Sequence, residues 1–79
     1  MTLGDIKKGA WKHQKIEVFA YPNKKTGFEG FMKIYQVNRI PKKYEHLEII
    51  YWATEHRANE DNFYQTIMIC DVKEVKRHG

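Results

Sequence analysis

The stretch Lys15-Ile16-Glu17-Val18-Phe19-Ala20-Tyr21 decides the fold. Ile16, Val18 and Ala20 fall on one side of a period of two, and Lys15, Glu17, Phe19 and Tyr21 on the other. That period, carried by β-branched and aromatic residues, defines a half-buried strand. Pro22-Asn23-Lys24-Lys25-Thr26-Gly27 follows as a turn, because proline presets one dihedral while Asn and Gly tolerate the left-handed region. Residues 28–40 read as a second, long strand. Met32 and Ile34 share one face of it; Phe31, Lys33, Tyr35 and Val37 share the other. Gly30 inside that strand marks a bend, a bulge or a close backbone neighbour. Pro41 cannot donate to a ladder, so Asn38-Arg39-Ile40-Pro41-Lys42-Lys43 ends the strand.

Downstream, residues 47–54 form a third strand dense in β formers (Ile49, Ile50, Tyr51, Trp52). Residues 55–62 are a polar connection. Residues 63–70 form a fourth strand, with Phe63, Gln65, Ile67 and Ile69 alternating against Tyr64, Thr66, Met68 and Cys70. Asp71-Val72-Lys73-Glu74-Val75 gives a tight turn and a short fifth strand, and Lys76-Arg77-His78-Gly79 is a basic tail. Upstream, the Thr2-x-x-Asp5 pattern either caps a helical turn before Gly9 or belongs to a frayed end. The expected fold is all-β: residues 1–79 as a single domain, with residues 1–12 loosely attached. Residues 15–76 form a small five-stranded, strongly bent antiparallel sheet or barrel behind a short N-terminal turn or helix. Curling is the way such a sheet hides its apolar faces without helices. The expected core is Ile16, Val18, Met32, Ile34, Ile50, Trp52, Ile67, Ile69, Val72 and Val75.

Composition narrows the function. A chain of 79 residues is one small domain at most, and 42% hydrophobic with 30% charged residues is the balance of a folded one. The single cysteine, Cys70, excludes an internal disulfide and multi-cysteine zinc patterns. No apolar run approaches the roughly 20 residues that span a bilayer. The first residues lack the basic start and apolar stretch of a secretion signal, so a cytoplasmic location and no membrane partner are expected. Charge is unevenly placed. Residues 1–43 hold ten Lys/Arg and three Asp/Glu, a net +7, whereas residues 44–79 hold four and seven, a net −3. A basic half of this kind attracts a polyanion.

The run Lys25-Thr26-Gly27-Phe28-Glu29-Gly30-Phe31-Met32-Lys33-Ile34 resembles the second-strand signature of Src-homology-3-like small barrels, particularly the KOW type. The ending Ile69-Cys70-Asp71-Val72-Lys73-Glu74-Val75 is similar to their closing turn and fifth strand. The resemblance spans residues 15–76; it implies a small β-barrel that binds nucleic acid or protein, and carries over no catalytic residue. In size and style the chain also resembles small phage or mobile-element proteins made against host machinery.

Catalytic chemistry is sparse. His13, His46, His56 and His78 form no pair at metal spacing, and no phosphate loop, dinucleotide glycine pattern or nucleophile motif is present. His46 with Glu48, or Glu55 with His56, would be the acid–base candidates of a small ribonuclease. Adjacent strand residues face opposite ways, however, which makes Glu55 and His56 a poor pair. No enzyme, cofactor or metal is expected.

The stronger candidate is a surface. Phe19, Tyr21, Phe31, Lys33 and Tyr35 form the outward set of the first two strands. Arg39 joins this surface from a loop; Lys24, Lys25, Lys33, Lys42 and Lys43 would follow phosphates, while Phe28, Tyr35 and Tyr44 would stack on bases at about 1–3 kcal/mol each. The alternative is that some of these rings close a barrel end as a second small core. The first function reading is a non-enzymatic module for nucleic acid, single-stranded or RNA. The second is a protein-interaction module, acting as an inhibitor or accessory factor of a host complex. An exposed edge, residues 47–54 or 63–70, would pair with itself to give a homodimer or with a partner.

Overall fold

The computed structural model describes residues 1–75; the basic tail lies outside the described residues. It contains one helix, α1 (Leu3–Gly9), and four strands: β1 (Lys15–Tyr21), β2 (Phe31–Gln36), β3 (Glu48–Ala58) and β4 (Tyr64–Lys73). The strands form one mixed sheet in the order β2-β1-β4-β3. β1 and β2 are an antiparallel hairpin, as are β3 and β4, and the hairpins meet where β1 runs parallel to β4.

Three expectations are corrected here. Four strands form rather than five, because residues 71–73 continue β4 instead of turning. The sheet is mixed rather than antiparallel. It also stays open, with β2 and β3 at its edges among the described residues. Closure is unnecessary because another layer hides one face. Between β2 and β3 the chain crosses that face through two 3-10 turns, Val37–Arg39 and Lys42–Tyr44. The crossover delivers Val37, Ile40 and Leu47, and α1 delivers Leu3, onto Ile16, Val18, Ala20, Cys70 and Val72. All nine are buried, at 2% exposure or less. The face they cover is called the helix side below.

α1 begins with a full capping box: Thr2 Oγ1 accepts from Asp5 N–H at 3.3 Å, and Asp5 Oδ2 accepts from Thr2 N–H at 2.9 Å. The segment is docked by backbone bonds from Leu3 N–H to the Leu47 carbonyl and from Ile49 N–H to the Met1 carbonyl.

Register decides which side chains are covered. β1 buries Ile16, Val18 and Ala20 as its alternation demands. Its pairing with β2 sets Tyr35 beside Ile16, Lys33 beside Val18 and Phe31 beside Ala20. Thus Met32 and Ile34, expected in the core, lie on the open face, 67% and 48% exposed. The larger rings of Phe31 and Tyr35 pack against the core cluster in their place. Gly30 holds the approach to this register: its φ is +78°, and a Cβ there would lie 2.5 Å from the Ala20 carbonyl oxygen.

A bulge at Ile50 breaks the β3 register between Ile49 and Tyr51. Ile49, opposite Val72, packs on the core, whereas Tyr51, opposite Asp71, is on the open face. Ile50 and Trp52 were expected inside and are 49% and 57% exposed. Trp52 does point to the helix side, opposite Cys70, but from an edge strand. Val75 also stays out of the core, lying past the end of β4.

β3 runs to Ala58, through half of the expected polar connection. The turn closes on Asn59, whose side-chain oxygen accepts from Asp61 and Phe63 N–H at 2.9 and 3.0 Å. Asn62 takes the left-handed conformation there, with φ +62°.

Candidate functional site

The covered and open sides of the sheet differ in chemistry. On the helix side, the expected rings form a row along β2 and the crossover. Phe28 meets Phe31 edge-on at 6.3 Å between centroids, and Phe31 meets Tyr44 at 4.4 Å. Lys33 Nζ lies 5.4 Å from the Tyr35 ring, and Lys43 Nζ lies 5.0 Å from the Tyr44 ring, within cation–π range. Phe28, Tyr35 and Tyr44 are half-buried and packed against the core cluster. Burial, with Tyr44 adding to it, holds the Tyr35 phenol above its ordinary pKa. These rings serve as a lid over the core edge and show only part of their surface.

Lys42 and Lys43 line a polar cleft of about 380 Å³ between α1 and the crossover, together with Lys8 and His46. Asp5 and Glu45 lie in its wall. Each carboxylate has a partner: Asp5 caps α1, and Glu45 accepts from Lys7 Nζ at 3.2 Å. Lys7 Nζ also donates to the Ile40 carbonyl at 2.8 Å, which ties the helix to the crossover. The Thr2 backbone and side chain hold the Asp5 carboxyl below the usual carboxylate range. Arg39 is exposed on the first 3-10 turn of the same layer.

The nine expected residues therefore separate. Phe28, Lys33, Tyr35, Arg39, Lys42, Lys43 and Tyr44 belong to the helix side. Lys24 and Lys25 sit in the β1–β2 turn and line a different groove, of about 470 Å³, with Tyr21, Ile50 and Lys73 at the end of the open face. Nor do Phe19 and Tyr21 join Phe31 and Tyr35, since the β1–β2 register puts them on opposite faces. Lys8 and His46 are additions to the site. The Lys7-Lys8 doublet is visible in the sequence, but which of the two faces the cleft depends on how α1 docks.

The open face carries Phe19, Tyr21, Met32, Ile34 and Tyr51, each 38% to 67% exposed, around half-buried Ile69 and Ala53. Ile67 also belongs to it by register, yet is only 3% exposed. Its cover is an ion pair that crosses β4. Arg57 on β3 donates to both Glu17 oxygens on β1, at 2.8 and 3.2 Å, and its Nε donates to Glu55 at 2.8 Å. Arg57 stands level with Gln65 and Glu17 level with Ile69, so the bridge passes over Ile67. The hydrogen bonds from Arg57 keep the Glu17 carboxyl below its ordinary pKa.

No group of three His, Cys, Asp or Glu able to hold a metal occurs among the described residues, and no described helix is long and apolar enough to cross a membrane. His56 Nδ1 lies 3.2 Å from Thr66 Oγ1 on the helix side, while Glu55 is on the open face bound to Arg57, so the two do not meet. Cys70 is fully buried; desolvation first, then the Asp71 charge, pushes its thiol up to about 11. β3 is an edge strand, but β4, the other edge expected to be exposed, is flanked on both sides. The chain matches no family model, no curated protein and no solved structure.

Proposed function

We propose that this protein is a non-enzymatic binding module that holds nucleic acid on its helix side. The observation that carries the reading is the cleft where Lys8, Lys42 and Lys43 converge beside the aromatic row topped by Lys33 and Lys43. Lysines spaced along a ridge track phosphates, and partly exposed rings accept a base without selecting it. Because Phe28, Tyr35 and Tyr44 are half-buried, phosphate binding supplies most of the affinity and sequence preference is weak. Labelled single-stranded RNA and DNA titrated at rising salt test this. The expected result is binding that weakens steeply with salt. Lys42→Glu and Lys43→Glu should each lower the salt slope by about one, since each removes a cation that neutralises a phosphate. Absence of retention at low ionic strength removes the reading.

A second reading, a protein-interaction module acting as inhibitor or accessory factor, is favoured by the uncovered apolar face. Large apolar side chains exposed together on one face mark an interaction surface. Partners captured from a nuclease-treated lysate but not by Met32→Glu would support it; partners released by nuclease would support the first.

A further inference from the structure

We infer that the open sheet face is the contact surface for a second copy of this chain, two sheets stacking face to face about a twofold axis. This goes beyond the nucleic-acid reading and does not depend on it. Helix and crossover cover one apolar face of the sheet, and the other, which a solvated sheet lines with polar side chains, is apolar and bare. Here the bare face presents Phe19, Tyr21, Met32, Ile34 and Tyr51.

Charge selects the occupant. By register the strands of the open face hold Lys15, Arg57 and Lys73 against Glu17, Glu48, Glu55 and Asp71, and Lys24 and Lys25 line the groove at its end, five positive and four negative groups in all. A polyanion gains nothing from such a face. A copy of the same face, nearly neutral and bearing both signs, does not repel it. The basic groups Lys33, Arg39, Lys42 and Lys43 lie in the opposite layer. Two chains of net charge +4 can thus meet on this side while the helix-side lysines point outward and Lys24 and Lys25 stay at the rim.

Area sets the strength. Four strands about 4.8 Å apart and roughly 20 Å long give a footprint of about 400 Å². Allowing for side-chain relief, that is of the order of 600 Å² of accessible surface per copy, at the low end for a specific interface. The dimer is therefore reversible and concentration-dependent. Sheets packed in this way lie about 10 Å apart, with their inner side chains interdigitating.

Sedimentation velocity on the intact chain, from about 1 µM to about 1 mM, reads the association directly. The expected result is a monomer–dimer equilibrium, with the dissociation constant raised at least about tenfold by Met32→Glu or Ile34→Lys. Both positions are exposed, and circular dichroism checks that the variants keep the fold. Trp52→Lys, on the other side of the β3 edge, should leave the equilibrium unchanged, which separates stacking of faces from pairing of edges. A chain monomeric throughout the range overturns the inference. So does a dimer that survives Met32→Glu with Ile34→Lys, or one that Trp52→Lys dissolves.

Discussion

Gly30 shows how one residue without a side chain holds two strands in register. Its φ of +78° and the 2.5 Å from a notional Cβ to the Ala20 carbonyl oxygen leave no room for alanine. Gly30→Ala should cost at least about 2 kcal/mol, measured as a lowered urea midpoint, whereas Gly9→Ala, with open space around it, should not destabilise comparably. Glu17 and Arg57 act differently. Glu17 has a folded pKa held below its unfolded value, so its bridge stabilises fully above the unfolded carboxylate range. That contribution fades as pH falls through the folded pKa. Wild type should exceed Glu17→Gln in thermal stability at neutral pH, and the gap should shrink well below about pH 4.3. A gap unchanged at low pH would show that packing over Ile67, not charge, is what the pair contributes.

Among the elements, α1 is the one whose sequence signal is ambiguous between a capped turn and a frayed end, and it is firmly held. Its seven residues are too few to be stable alone. The capping box and the burial of Leu3 under the crossover hold it. Thr2→Ala removes the side-chain half of the box and should cost about 1 kcal/mol, seen as faster amide exchange through α1 as well as a lower melting temperature. β1 is legible to its last residue because one of its faces is buried and the other is not. β2 and β3 are legible as strands but not in their facing, and β2 is less than half the length read for it, because Val37–Arg39 turns into the crossover instead of extending the ladder to Ile40. Both faces of each carry large apolar residues, so parity alone cannot say which goes inside; Gly30 and the Ile50 bulge decide it.

For the whole molecule, what matters is that two hairpins join through a parallel pair. That arrangement brings β1 and β4 to the centre and sends the 37–47 crossover over one face. It also divides the lysines. Reversing charge at Lys42 and Lys43 should weaken oligonucleotide binding several-fold more than reversing Lys24 and Lys25, which line another groove. Equal losses in a titration at fixed salt would mean that net charge alone attracts the ligand.

By itself the sequence determined that this is a strand-rich chain, that Lys15–Tyr21 is half-buried, where the first turn lies, and that basic residues crowd its first half. These properties are local, set by period, turn chemistry and composition. Strand order, the parallel contact, the open face and the separation of one basic surface into two were decided by tertiary structure alone. They depend on which of several competing apolar surfaces pack together, and that contest is settled between segments distant in the chain: α1 and the crossover cover one face of the sheet, and nothing within the described chain covers the other.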